Sequence, residues 1–262
     1  MNKTLLAAAA ITLLSLGGAH AADLGRVTKA PVAAPLPYYN WTGFYVGVHV
    51  GGTWSESDVG VGFAPTPAAF GATPIAFSND NDGFLAGVQI GYNWQAGMWV
   101  FGLEADISFA DTDNTTTVGP VLAFPGGAPI AGSFSAINTE MNWFGTIRGR
   151  VGIAWDRFMI YATGGFAFAD LEHSAQTFFP AGGNFVGVSD DTETGYVVGA
   201  GFEWGLAPNW SLKAEYLYYD LGDTTINAVA VGFPGFAVPT NVDLDGHIVR
   251  VGLNWRFGGP VY

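Results

Sequence analysis

Cysteine is absent from the 262 residues. That excludes a disulfide scaffold, thiolate metal sites and a lipid anchor on an N-terminal Cys. Charge is scarce too, at 12% of residues, against about 25% in an ordinary soluble domain. Lys and Arg number 9 against 22 Asp and Glu, for a net charge of −13. A chain so poor in cations is not built to neutralise phosphates, which argues against nucleic acid as a partner. Beyond the N-terminal leader there is also no run of the roughly 18 apolar residues that a transmembrane helix needs.

Yet hydrophobic residues make up 49% of the chain and aromatics 15%. Only helices and closed barrels satisfy every backbone N–H and C=O inside lipid. With helices excluded, the predicted fold is all-β: an eight-stranded antiparallel up-and-down transmembrane β-barrel.

The first residues carry an export signal. Lys3 precedes an apolar core from Leu5 to Leu16, and Ala19-His20-Ala21 is a small-residue cleavage site. Residues 1–21 are therefore predicted to be a signal peptide. Residues 22–40, with Pro31, Pro35 and Pro37, are predicted to be a periplasmic Pro/Ala-rich linker. The barrel domain is predicted over 41–262.

From Trp41 onward the chain alternates with period two, the mark of strands with two different faces. Eight such segments run from about Gly43, Gly83, Trp99, Thr139, Phe158, Thr194, Trp210 and Asp245. In the first, Phe44, Val46, Val48 and Val50 share one face, and Tyr45, Gly47, His49 and Gly51 the other. In the fourth, Trp143, Ile147 and Val151 oppose Asn142, Thr146, Arg148 and Arg150. Three connections are tight, near Ala96, Asp156 and Pro208. Four are predicted as long external loops: Ser55 to Asp82, Ala110 to Asn138, Leu171 to Glu193, and Leu221 to Leu244. Short periplasmic turns and long outer connections are the expected asymmetry of an outer-membrane barrel.

Two residue sets follow from the faces. Trp41, Trp94, Trp99, Trp155, Trp204, Trp210 and Trp255 fall beside short turns or chain ends and are predicted as a periplasmic aromatic girdle, where an amphipathic ring suits the interface. Glu104, Asp106, Arg148, Arg150, Glu203, Lys213, Glu215, Arg250 and Arg256 fall on inward faces and are predicted as a lumen charge network. On the lipid face at mid-bilayer an Arg or Lys would cost roughly 2–4 kcal/mol. Inside a narrow barrel these groups can pair.

No catalytic, cofactor or metal residues are predicted. His247, with Asp243, Asp245, Ser55 and Ser57, could be assembled into a rim hydrolase only on paper. Its plainer meaning is a solvated rim histidine. The outer Asp residues, such as Asp190 and Asp191, match no dedicated calcium loop and suit a solvated acidic surface.

Three stretches carry a resemblance. Asn40-Trp41-Thr42-Gly43-Phe44-Tyr45-Val46-Gly47 after the linker, Gly145-Thr146-Ile147-Arg148-Gly149-Arg150-Val151-Gly152, and the closing strand Val249 to Phe257 resemble the small alphaproteobacterial outer-membrane proteins. Those are opacity-type, porin-family barrels with an OmpA-like transmembrane domain. The resemblance implies a surface-exposed barrel that supports envelope integrity, with weak porin activity in some relatives and haemin binding or adhesion through outer connections in others. It implies lipid, lipopolysaccharide and the barrel-assembly machinery as partners, with host or small-molecule contacts outside. No cofactor is expected. The family's terminal strand usually ends on its aromatic residue, whereas here Gly258 to Tyr262 follow Phe257.

Overall fold

The computed structural model describes residues 39–62, 75–121, 128–180, 183–231 and 233–257. The predicted leader, most of the linker and the Gly258–Tyr262 tail lie outside them. Eight antiparallel strands form a closed barrel, each paired with its sequence neighbour and β1 with β8. They are β1 (Gly43–Val61), β2 (Ile75–Ala96), β3 (Trp99–Val118), β4 (Phe134–Trp155), β5 (Phe158–Phe179), β6 (Gly183–Ala207), β7 (Trp210–Ala230) and β8 (Phe233–Arg256).

The register fixes the barrel's stagger. From Glu104 the ladder runs through Arg148, Gly165, Val197, Tyr219, Gly246 and Ser55 to Asn81, whereas Glu104 pairs directly with Gly91. The circuit therefore closes with a displacement of 10 residues on β2, from 81 to 91. Eight strands with this stagger enclose a lumen just wide enough for side chains to fill.

The three tight turns sit where expected, at Gly97-Met98, Asp156-Arg157 and Pro208-Asn209. Asp156 takes a positive φ of 50°, which Asp tolerates better than most residues.

The four long connections are a different matter. Most of Ser55–Asp82, Ala110–Asn138, Leu171–Glu193 and Leu221–Leu244 is strand: β1 runs out to Val61 and β2 in from Ile75, β3 to Val118 and β4 from Phe134, β5 to Phe179 and β6 from Gly183, β7 to Ala230 and β8 from Phe233. Strands of 19 to 25 residues are about twice the 9–11 that cross a bilayer. The prediction sought apolar residues facing outward. Beyond the lipid that polarity inverts: Val59, Val61, Ile137, Ala175, Ile226 and Val242 point inward and are buried, while Asp58, Asn241 and Asp243 face out. The period of two persists, but with the faces exchanged.

A second correction concerns Asn142, predicted inward. The β4–β5 register shifts between Met141 and Trp143, leaving Asn142 as a bulge on the outer surface. The bulge sets Met141 and Phe144 both inward, which unbroken alternation forbids.

The outer half is not laddered all the way round. β2 and β3 pair only as far as Phe84↔Asp111. β6 and β7 have no ladder pairs between Tyr196↔Asp220 and Val186↔Val229. Beyond the lipid-facing band the wall is thus laddered as two groups of four, β3-β4-β5-β6 and β7-β8-β1-β2, which are rejoined between β6 and β7 only near the tips, at Phe185↔Ala230 and Val186↔Val229. Their inner faces meet in one apolar cluster that includes Val59, Val61, Ile137, Phe179, Phe185, Ile226 and Val238.

Candidate functional site

The lumen is filled in tiers. At the short-turn end, Trp41 is only 1% exposed and packs with Tyr39, Val100, Ala154, Met159 and Tyr161. Its backbone N–H donates to Gln95 Oε1 at 2.8 Å and its indole Nε1 to the Asp156 carbonyl at 3.2 Å. Tyr39 meets Trp41 edge-on at 4.7 Å, and Arg256 lies over the Tyr39 ring at 4.4 Å. The residues just before β1 therefore cap the barrel mouth. Trp41 is not part of the girdle predicted for it. It precedes the strand, so the strand's in–out alternation does not govern it.

Above the cap lies an ion network. Arg148 donates to Glu104 at 2.6 Å, to Asp106 at 2.9 Å and to Glu215 at 2.9 Å. Arg250 donates to both oxygens of Asp106, at 2.9 and 3.0 Å, and through Nε to Glu215 at 2.8 Å. Lys213 donates to Glu104 at 2.7 Å. Arg150 stands 3.3 Å from Glu203 and 3.6 Å from Glu104. These four cations and four carboxylates are all buried and balance in formal charge, as an ionic cluster out of water requires. Arg256, predicted among them, instead donates to the Pro208 carbonyl at 2.6 Å at the mouth.

Neutral groups that the sequence did not single out complete the network. Tyr45 OH donates to Glu104 at 2.7 Å and Tyr161 OH to Glu215 at 3.0 Å. Gln89 bridges His49 and Asn254, and Asn254 donates to Glu203 at 3.0 Å. The inward glycines give these groups room. A Cβ on Gly91 would sit 2.1 Å from Tyr45 OH, and one on Gly201 2.6 Å from Tyr161 OH. That pairing of small with large across the lumen is the sequence signal that could have found the two tyrosines.

Next comes an apolar tier with Leu85, Phe144, Leu171, Leu217, Tyr219, Leu244 and Ile248, and further out the cluster between the two sheets. Buried side chains thus face the lumen in successive tiers: the cap, the ion network and two apolar clusters.

The outer wall has its own order. Phe44, Val48, Val88, Leu103, Ile147, Ile160 and Val251 are exposed in a belt around the half nearest the short turns. Trp94, Trp99, Trp155, Trp204, Trp210 and Trp255 stand exposed at its lower rim, as a girdle. Trp54, Tyr196 and Tyr216 mark the upper rim. There His247 stacks on Trp54 at 5.9 Å and shares a 2.7 Å hydrogen bond with Tyr216 OH. His247 thus faces outward while Ser55 points into the lumen. The hydrolase constellation imagined from the sequence is split across the wall.

The outer half carries no Lys or Arg in 55–82, 110–142, 169–195 or 219–246. Its acids line up in register. Asp113, Glu140, Glu172 and Asp190 oppose one another across β3 to β6. Asp220, Asp245, Glu56 and Asp80 do so across β7, β8, β1 and β2. The register thus sets acidic positions opposite one another in both groups of strands.

The outer membrane protein beta-barrel domain model matches residues 7–257. The chain is 32% identical to the 31 kDa outer-membrane immunogenic protein of Brucella melitensis, over 95% of this chain and 98% of that protein. It is also 32% identical to the 22 kDa outer membrane protein of Rhizobium leguminosarum, over 73% of this chain and 68% of that one. Among solved structures, the outer membrane protease OmpT from Escherichia coli superposes with a TM-score of 0.50 at 10% identity, over 82% of this chain and 97% of that one. That likeness extends to the fold alone. With a closed eight-stranded wall, an apolar belt between aromatic rims and this match over nearly its whole length, the chain belongs to the outer-membrane β-barrel protein family of Gram-negative bacteria.

Proposed function

We propose that the protein is a non-conducting structural barrel of the outer membrane that presents an acidic, strand-built surface outside the cell. The observation that carries this reading is the occupied lumen. An aromatic cap, a neutral ion network and two apolar tiers succeed one another along the axis, in a barrel whose eight strands leave an interior just wide enough for side chains to fill. This favours an envelope-integrity role over even weak porin activity. In this orientation the short turns lie in the periplasm and the long hairpins outside, which the asymmetry of the two ends supports. The exposed apolar belt contacts lipid and lipopolysaccharide tails. The separation of His247 from Ser55 argues against rim catalysis. Single-channel recording of the refolded protein in planar bilayers tests the reading: no steps above baseline are expected, and large stable openings would sink it.

A second reading, adhesion or ligand capture by the outer hairpins, is favoured by their size. The relatives' name, outer-membrane immunogenic protein, suits exposure of that half. Shortening each hairpin in turn should abolish binding to host cells or haemin while heat-modifiable migration persists.

A further inference from the structure

The outer wall between β6 and β7 has a window. From Gly187 to Gly195, β6 is laddered to β5 without interruption. On its other side it makes no ladder pair with β7, whose facing stretch runs from Leu221 to Ala228. The cause lies in β7. Its pairing with β8 shifts between Asp220 and Asp223, and Gly222 takes a φ of 77°. The Gly222 N–H is turned to Asp220 Oδ1 at 2.9 Å, away from any neighbouring strand. Such a bulge bends and twists the strand that carries it. β6 is left there as an edge. In an antiparallel strand, alternate residues direct both N–H and C=O to the same neighbour, so every second residue of this stretch offers a donor and an acceptor to the window.

The surroundings say what fits. Asp190, Asp191 and Thr192 are all exposed, so both faces of the strand are open where alternation would bury one. Gly187 to Gly195 contains no Pro to interrupt pairing. Its charge has one sign: Asp190, Asp191 and Glu193 lie in it, Glu172 stands opposite Asp190 on β5, and no Lys or Arg occurs in 169–195 or 219–246. Glu193 is the most specific of these acids. It points inward, is 9% exposed, and its Oε1 has no hydrogen-bond partner. His173 Nε2 is 3.8 Å away, beyond hydrogen-bond reach. Asp191, two residues earlier, shares the inner face.

We propose that the β6 edge from Gly187 to Gly195 takes up an added strand, an extended polypeptide segment with Lys or Arg at alternate positions. Main-chain hydrogen bonds supply the affinity, as in other β-augmentation. The cations supply the selection. Residues directly opposite across a ladder lie on the same face, so two cations spaced by two residues meet Asp191 and Glu193 together, and one gives Glu193 Oε1 its missing donor. An inward charge on an edge strand guards against indiscriminate pairing, which leaves the cationic strand as the one admitted. A second copy of this chain is a poor occupant, because its own edge would set carboxylate against carboxylate. The inference deepens the ligand-capture reading of the outer hairpins and rests on it for the side of the membrane on which the edge lies.

The test uses the full chain refolded in detergent, its folding checked by heat-modifiable migration. A short fluorescein-labelled peptide of alternating lysine and threonine is titrated and followed by anisotropy. Saturable binding of one peptide per chain is expected. The same peptide N-methylated at every residue keeps its charge and loses its backbone donors. It should bind at least about tenfold more weakly, because several hydrogen bonds are lost together. E193Q and D191N should each weaken binding of the unmodified peptide severalfold. D82N, which removes an exposed acid on β2, across the barrel from β6, should not. Equal binding of the two peptides would make the attraction a matter of surface charge alone and overturn the proposal. So would a loss in D82N equal to that in E193Q, or the absence of saturable binding. Orientation has its own readout, antibody labelling of the β5–β6 hairpin on whole cells, so a failure of the outer placement and a failure of strand addition are distinguishable.

Discussion

Arg250 of β8 grips Asp106 of β3 with two parallel hydrogen bonds, 2.9 and 3.0 Å long, across a lumen in which neither side chain has any exposure. The fork-to-fork geometry is the strongest form a charge pair takes. It joins strands separated in the wall by β1 and β2, so it acts as a strut across the barrel.

Removing one end of that strut should cost more than the strut is worth. Asp106→Ala leaves Arg250 buried beside a missing partner and takes an acceptor from Arg148 as well. The expected destabilisation is about 3–5 kcal/mol. It is read as a fall in the temperature at which the folded, fast-migrating band disappears. A midpoint equal to wild type would contradict the network as drawn.

The cap makes a separate prediction. Trp41→Ala deletes the largest fully buried side chain at the mouth and should cost about 3–5 kcal/mol, as large-to-small aromatic changes do. Because the ion network and the apolar tiers above remain, the variant should still not conduct. Stability falling while planar-bilayer current stays at baseline is the expected pair of results. Open channels in the variant would show that the cap alone seals the barrel.

Where the hydrocarbon ends can be found by moving one charge along the wall. Val48 and Val188 are both exposed, at 56% and 73%, but Val48 lies in the apolar belt and Val188 in the outer extension. Val48→Arg should cost about 2–4 kcal/mol on refolding into bilayers, falling to about 0–1 for a position beyond the interface. Equal penalties would mean that the belt is misplaced.

The aligned acids predict an unusual response to pH. Asp243 stands directly opposite Asp58 and Asp223. Burial, then Asp220, Asp223, Asp245 and Asp58, push its carboxyl above the ordinary range. A raised native pKa means that the folded form holds the proton more tightly than the unfolded one. The associated stability is complete below the unfolded value, about 3.9, and is lost as pH rises through the folded value. Lowering the pH from neutral toward that range should therefore raise the melting midpoint, as should added salt, which screens exposed charges. Replacing Asp243 with Asn should remove part of the gain. A midpoint that drops from the first step below neutral would count against the repulsion.

The membrane-facing half was legible in the sequence because one rule governs it: apolar out, polar in, period two. Glu104, Arg148 and Lys213 could be turned inward from that rule alone, and the six exposed tryptophans placed at a rim. The outer half was not legible, since the same period carries the opposite polarity there, and Val59 or Ile226 pointing inward looks like a loop to anyone seeking a lipid face. Asn142 was missed because a bulge breaks parity without leaving a residue signature. Trp41 was missed because tertiary contact with Asp156 and Gln95, not alternation, decides its place.

The stagger of 10 residues around eight strands has a consequence for how such a chain can change over generations. A one-residue insertion or deletion inside any strand turns every side chain beyond it to the other face, bringing arginine to lipid and valine to the ion cluster. Length can vary freely only at the hairpin tips, or in the interior when a bulge like that at Asn142 absorbs the extra residue. Relatives should therefore differ in size at the outer ends of β1–β2 and β3–β4 and agree residue for residue through the ion tier.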